Sequence, residues 1–556
     1  MNLVLSAVFI LSGSVLAVEQ LQGPVVTTTN GPIRGEKIPE YYVFKGIQYA
    51  ESPIGDKRFE PVGLFREKWT DVKNATEFVT PCLQWRGGFD KPRGVEDCLF
   101  LNVYTSQISE EANLPVFVHF HGGGFTYGSG TFFSPEIMLH LYQLVFVTVN
   151  YRLGPLGFLS TDDEVVPGNM GLKDQAVALQ WVKENIRRFG GNPDSVTLSG
   201  FSAGAASVHL HYLSPHSRGL FHRGISHSGC AMNSWVFPEN PRDKAQFLAN
   251  HVGCESKDTP KMVECLKKKP AEDIVNVIPA YYKWVVFPLI PYGPVIEKRS
   301  DKPFLAAHPE TIYRTRKEAQ LPWIAAYTDK DGIFPAIETL MDPKYFPEVL
   351  NRWEELGPIL LDFHETLAPE DFSDTMQRIL QFYVGDREMS FDDLAQIMTD
   401  RLFSSDISRC IRFHSEKSPT YLYEFGVPPE FGVVQLYLGR NAKLNGSCHG
   451  DDVFTLLRNK FDPRDDQTPE EKEMARLLTD MYISFAEDSH PKLGNVEFGD
   501  VHSQGYLSFL NISNLSNISM EKASNIGQEN FWRSLPIDEF DIKDPETPPL
   551  NQKGEL

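Results

Sequence analysis

Five residues constrain this chain more than any other stretch: Gly200-Phe201-Ser202-Ala203-Gly204. Before them, Asp194-Ser195-Val196-Thr197-Leu198-Ser199 reads as a strand; after them, Ala205-Ala206-Ser207-Val208-His209-Leu210 reads as a helix. A strand that breaks at a glycine, carries a serine at its tip and re-enters as a helix is a nucleophile elbow. Glycine is needed on both sides because the turn is strained and a Cβ would meet the neighbouring strand or helix. The turn pushes Ser202 Oγ outward and aims the backbone N–H of Ala203 at a developing oxyanion. G-x-S-x-G also occurs in bland turns, so it is the flanking strand and helix that make Ser202 a candidate nucleophile.

Further strands are expected at 115–120, 144–150, 195–199, 222–227, 321–327 and 420–425, with helices at 171–188, 203–214, 242–252 and 468–487. Nearly continuous apolar strands alternating with helices predict an α/β fold, its mostly parallel sheet covered by helices on both faces. Sites in such sheets lie beyond the carboxyl ends of the strands. A second glycine-rich run, His121-Gly122-Gly123-Gly124-Phe125, also follows a strand there. Its alternatives are a flexible turn and a loop whose N–H groups face a tetrahedral oxyanion. No G-x-G-x-x-G loop is present, so no dinucleotide is expected, and no organic cofactor or metal is implied.

A serine hydroxyl needs a base, and that base an orienting acid. In the fold that carries such an elbow the chain order is Ser, then acid, then His. Two segments fit: Thr328-Asp329-Lys330-Asp331-Gly332 after a strand, and Gly446-Ser447-Cys448-His449-Gly450-Asp451-Asp452. Asp331 and His449 are the candidates, with Asp329 as local rival. The bland alternatives are an Asp-Gly turn and a solvated loop histidine.

With 53 basic against 74 acidic residues the net charge is −21, which argues against a nucleic-acid-binding surface. No repeat or linker divides the 556 residues, so one catalytic domain over 18–556 with long insertions is expected. Leu3–Ala17 is apolar and ends in Val15-Leu16-Ala17, which predicts a signal peptide over 1–17 and a mature start at Val18. No later segment is apolar enough for a stable membrane anchor. Seven cysteines in an oxidising compartment should pair where geometry permits. Cys82 with Cys98, and Cys254 with Cys265, each bracket a short loop; Cys230, Cys410 and Cys448 are left over, and an odd count leaves at least one free thiol. Glycosylation sequons begin at Asn74, Asn445, Asn511, Asn514 and Asn517.

At these residues the chain resembles the type-B carboxylesterase and cholinesterase family, and most of all secreted insect carboxylesterases of the juvenile-hormone-esterase and β-esterase groups. Phe189-Gly190-Gly191-Asn192-Pro193-Asp194 through Gly204 is similar to the family's serine signature, and Glu96-Asp97-Cys98-Leu99-Phe100-Leu101-Asn102-Val103 to its cysteine signature, with Ser106 departing at the end. Phe44-Lys45-Gly46-Ile47, Asn150-Tyr151-Arg152-Leu153-Gly154 and Gly168–Gln175 are further matches.

The resemblance implies an α/β-hydrolase fold, with Ser202 as nucleophile, His449 as base and Asp331 as orienting acid. Gly123, Gly124 and Ala203 become the oxyanion hole, Cys82–Cys98 and Cys254–Cys265 disulfides, and Arg58–Glu96 and Arg152–Asp174 scaffold ion pairs. Three departures stand out. The acid is Asp331 where the family usually has Glu. Phe201 stands where cholinesterases carry Glu. Trp85 does not match their choline-binding tryptophan. Without an anion and an aromatic platform, most of the attraction for a quaternary ammonium is lost.

The expected activity is hydrolysis of lipophilic carboxylic esters through an acyl-enzyme, with Phe201, Trp235, Trp284, Phe287, Ile290 and Phe334 as candidate walls of an apolar pocket. The competing readings are a non-enzymatic adhesion protein of the same fold and a sequestering protein that binds esters and turns over slowly. The adhesion reading is disfavoured because all triad positions are filled and no stalk follows. Secretion is expected, with retention in the endoplasmic reticulum as the alternative, because Lys553-Gly554-Glu555-Leu556 resembles a retention tetrapeptide.

Overall fold

The computed structural model describes residues 23–86, 90–503 and 505–537. The expected signal peptide over 1–17 and the C-terminal Lys553–Leu556 lie outside these residues. A twelve-stranded sheet runs through the molecule. In chain order its strands are β1 (Glu36–Lys37), β2 (Tyr42–Gln48), β3 (Phe100–Thr105), β4 (Leu114–Phe120), β5 (Val145–Val149), β6 (Gly191–Phe201), β7 (Arg223–His227), β8 (Trp323–Thr328), β9 (Thr420–Phe425), β10 (His502–Ser503), β11 (Tyr506–Asn514) and β12 (Asn517–Ala523). Across the sheet the order is β10-β11-β9-β8-β7-β6-β4-β5-β3-β2-β1, with β12 also paired to β11.

Seven neighbours from β5 to β11 are parallel, and the pairs outside them are antiparallel. The central strands bury both faces: every residue of β5, β7 and β8 is buried. Each of the six expected strands has its counterpart among them. The antiparallel edges lack that signal. β2 is interrupted at Lys45-Gly46 by a register shift, and β12 has no buried residue, so neither reads as an apolar run.

Six helices matter for the site: α1 (Met170–Asn185), α2 (Ala203–Leu213), α3 (Phe391–Thr399), α4 (Ser405–Ser415), α5 (Asp451–Leu456) and α6 (Pro469–Asp488). His209 of α2 stacks on Trp323 at 4.2 Å, and Tyr482 of α6 packs on His227 at 5.6 Å. Trp323 pairs with Gly224 and Ala326 with His227, so the alternation of side chains puts α2 and α6 on opposite faces. Between α3 and α4 the helix does not break but widens into a π-turn, Asp400–Ser404.

Both short-loop disulfides are formed, with Cα–Cα distances of 4.9 Å for Cys82–Cys98 and 5.5 Å for Cys254–Cys265. Arg58 makes a two-pronged pair with Glu96 at 2.5 and 2.8 Å and also donates to the carbonyls of Leu266 and Lys269. Arg152 pairs with Asp174 in the same forked way at 2.8 and 2.7 Å, fully inside the protein. Asn74, Asn445, Asn514 and Asn517 are exposed, whereas Asn511 is half-buried and donates its side-chain amide to Glu521. Among the described residues no helix is long and apolar enough to cross a membrane.

Candidate active site

Sterics alone build the elbow. A Cβ on Gly200 would lie 2.2 Å from the carbonyl oxygen of Gly204, and one on Gly204 would lie 2.0 Å from that of Phe120. Ser202 adopts φ 58° and ψ −123°, a strained backbone for a residue with a Cβ, and its N–H is fixed to the His227 carbonyl at 2.8 Å. Ala203 opens α2, so its N–H belongs to the unpaired, positive end of that helix.

The glycine run after β4 turns its carbonyls into the protein. Gly122 O meets His121 Nδ1 at 2.8 Å, Gly123 O accepts from the N–H groups of Thr126 and Tyr127, and Gly124 O accepts the Thr126 hydroxyl. With the carbonyls held, the N–H groups of Gly123 and Gly124 have no acceptor among the described residues. Gly123 takes φ 108°, and a Cβ there would sit 2.0 Å from Tyr127 O, so no other residue fits.

Two loops from distant parts of the chain meet beside the elbow. His449 Nδ1 donates to Asp331 Oδ1 at 2.8 Å, both groups buried, and Asp331 Oδ2 accepts the Thr328 N–H at 3.0 Å. Asp329 points elsewhere: its Oδ1 accepts the Ser447 N–H at 2.7 Å, while Lys330 N–H donates to Ser447 O. Asp329 therefore clips the two loops together, and Asp331 alone of the two faces the imidazole. The other ring nitrogen, His449 Nε2, is buried without a hydrogen-bond partner among the described residues. Aromatic rings enclose the imidazole: Phe403 at 4.6 Å, Phe201 at 4.8 Å and Phe334 at 5.3 Å. Behind the acid loop, burial and then the charges of Asp329 and Glu521 push the Glu424 carboxyl up to about 7, and burial raises Asp400 to about 6.

Ser202, His449 and Gly122–Gly124 line one cavity of about 420 Å³. Phe201, Trp235, Ile290 and Phe334 stand on its wall as the sequence suggests. Phe287 and Trp284 do not. Phe287 is fully buried and packs with Trp284 at 6.1 Å, and Trp284 leans on Tyr345, so this pair belongs to the protein's packing. Sequence reading misses several other residues of the wall, among them Leu289, Leu402, Phe403, Tyr437 and Phe454. Leu402 and Phe403 sit in the π-turn, where the Leu402 carbonyl accepts Trp235 Nε1–H at 2.7 Å and both carbonyls accept Asn233 Nδ2–H at 3.0 Å. The charged lining residues are Arg86, Arg93 and Lys460, and no carboxylate lines the cavity among the described residues. Trp85 is buried against Tyr282 and is not on the wall. A larger cavity of 1180 Å³ shares Trp235 and Ile290 with this one but is bordered by neither Ser202 nor His449.

A second buried imidazole–carboxylate pair, His227–Asp452, lies at the end of β7, with Nδ1 2.8 Å from Oδ2. Tyr423 donates to the same carboxylate at 2.8 Å, and Tyr482 meets His227 Nε2 at 3.0 Å.

Comparison with known proteins bears on this arrangement. Residues 22–532 match the carboxylesterase family. The chain is 36% identical over 534 residues to venom carboxylesterase-6 of Apis mellifera, covering 93% of this chain and 95% of that one. It is 35% identical over 521 residues to esterase-5A of Drosophila pseudoobscura pseudoobscura, covering 90% and 94%. Among solved structures it is similar to juvenile hormone esterase from Manduca sexta with OTFP covalently attached: TM-score 0.80, 26% identity, covering 92% of this chain and 99% of that one. The chain belongs to the carboxylesterase family and is a carboxylic-ester hydrolase with the α/β-hydrolase fold, a relative of insect esterases.

Proposed function

We propose that the protein hydrolyses uncharged, lipophilic carboxylic esters through an acyl-enzyme on Ser202. The observation that carries this reading is the half-open imidazole: His449 is held by Asp331 at 2.8 Å while its Nε2 stays unpartnered beside the cavity that Ser202 lines. Substrate binding brings Ser202 Oγ and Nε2 into hydrogen-bond contact, a contact that often tightens only in the complex. Ser202 attacks the carbonyl as His449 takes its proton, and the N–H groups of Gly123, Gly124 and Ala203 hold the oxyanion. The imidazolium gives its proton to the leaving alcohol. Water, activated by the same imidazole, then releases the acid.

The wall supports the substrate class. It is mostly aromatic and aliphatic, and its described residues include no carboxylate to offer a quaternary ammonium an anion. We further propose that the protein acts after secretion. Exposed sequons and two formed disulfides fit that reading, as does a relative named for venom. Deleting Lys553–Leu556 tests retention, since a retained protein would then be exported in greater amount.

One experiment tests the mechanism directly. Incubation with a phosphylating inhibitor should modify each chain once, at Ser202 by mass spectrometry, with parallel loss of activity on an aryl ester. An adduct on another residue that tracks the loss would overturn the assignment.

A further inference from the structure

Three cysteines stand outside the two disulfides, and two of them meet. Cys230 lies in the turn after β7 and Cys410 in the middle of α4. Separated by 180 residues in sequence, their Sγ atoms are 2.7 Å apart, and both are fully buried. That is closer than two unbonded sulfurs rest, though longer than the ~2.05 Å of a disulfide. We propose that Cys230 and Cys410 are joined by a third disulfide in the mature protein, and that this bond fastens a wall of the active-site cavity.

The rival use of two facing sulfurs is a metal site, because His209 brings a ring nitrogen within 4.8 Å of both. The hydrogen bonds around His209 argue against it. His414 Nε2–H donates to the Leu321 carbonyl at 2.8 Å, which leaves His414 Nδ1 to accept the Tyr313 hydroxyl at 3.0 Å. Tyr313 oxygen then accepts from His209 Nε2–H at 2.6 Å, and His209 Nδ1 accepts the Ala231 N–H at 3.0 Å. Each nitrogen is committed, so His209 has no lone pair to give. Burial also pushes the Cys410 thiol well above its ordinary range, which disfavours the thiolate that a metal requires.

The same burial sets when the bond must form. In the unfolded chain one cysteine, as thiolate, attacks a disulfide oxidant of the secretory pathway, either oxidised glutathione or the disulfide of a protein oxidoreductase. It expels one thiol and leaves a mixed disulfide. The second cysteine's thiolate attacks that bond and expels the other thiol. Two protein thiols are oxidised, one oxidant disulfide is reduced to two thiols, and the two protons pass to the expelled sulfurs. Packing then closes over the product.

The cross-link is well placed to hold the cavity. Cys230 N–H donates to Asn233 Oδ1 at 2.6 Å, and Asn233 in turn donates to the carbonyls of Leu402 and Phe403. The bond would tie this turn to the helix that follows the π-turn. Its existence does not depend on the esterase reading; only its bearing on the wall does.

The test uses full-length protein secreted from eukaryotic cells. It is denatured with an alkylating reagent and no reductant, then digested and mapped by mass spectrometry. The expected result is a peptide containing Cys230 joined to one containing Cys410, with one alkylated cysteine per chain, Cys448. In C230S the count should rise to two, at Cys410 and Cys448. Three alkylated cysteines in the wild type, or Cys448 joined to either partner, would overturn the proposal, while an active, inhibitor-labelled Ser202 in that same sample would leave the catalytic reading intact.

Discussion

Among the described residues two buried imidazoles hold a carboxylate at 2.8 Å, yet only one of them faces a cavity with a ring nitrogen unpartnered. The difference lies on the far side of each ring. Tyr482 meets Nε2 of His227, Tyr423 donates to the same Asp452 oxygen that His227 holds, and the Val453 N–H donates to the other. At His449 the far nitrogen is unpartnered and the cavity begins. A completed network of this kind rigidifies a core, whereas a network left one bond short is where a reacting group can dock. Finding a histidine beside an aspartate is therefore not enough to assign a base. The unfilled bond is the informative part.

Substitutions should separate the two pairs. The largest effect belongs to the open one: Ser202→Ala and His449→Ala should each remove nearly all esterase turnover in protein that still folds, and the double variant should lose little more. Turnover near wild type in either single variant would break the comparison at its root. Next, Asp331→Asn should lower kcat by about 10³–10⁴-fold by leaving the imidazole in the wrong tautomer. Asp329→Asn should cost far less, because that carboxylate holds only loop backbone; the reverse order would exchange the two roles.

At the closed pair the loss should appear in stability. Asp452→Asn leaves a buried network broken, which typically costs about 3–5 kcal/mol. It should lower the denaturation midpoint while kcat of the surviving folded enzyme stays within a few-fold of wild type. A selective collapse of kcat without destabilisation would mean that His227–Asp452 also belongs to the reaction.

The smallest effect is one of pH. Below about 4.5, the ordinary Glu value, Glu424 is protonated in both folded and unfolded chains and contributes nothing. Between there and about 7 the unfolded chain has lost the proton that the folded chain retains, so stability falls as pH rises through this window. Glu424→Gln should thus stabilise the protein by of order 1 kcal/mol at pH 8 and hardly at all at pH 4.5, measured by chemical denaturation. An equal gain at both values would remove the titration from the explanation.

What the sequence disclosed follows the range of the physics involved. Gly200 and Gly204 are legible because the clash they avoid is with atoms a few residues away or on the adjoining strand. The central strands are legible because burial on both faces leaves unbroken apolar runs. The choice of Asp331 over Asp329 is not local, since it depends on which carboxylate faces a loop 118 residues later. Phe287 shows the opposite failure. An aromatic near the right place in sequence turned inward to Trp284, and periodicity carries no sign of that. Phe403 escaped notice because its position is set by a widened helical turn and by partners at 233 and 235.

That widened turn has a consequence for how the pocket tolerates change in length. A π-turn accommodates one residue more than an α-helical turn, and each residue in a helix turns the chain by about 100°. Deleting a single residue within Asp400–Ser404 would let α3 and α4 fuse into a regular helix. The new phase would rotate Leu402 and Phe403 off the wall and draw their carbonyls back from Trp235 and Asn233. Substitutions here would reshape the pocket by degrees, whereas a shift of one codon's length would dismantle one side of it.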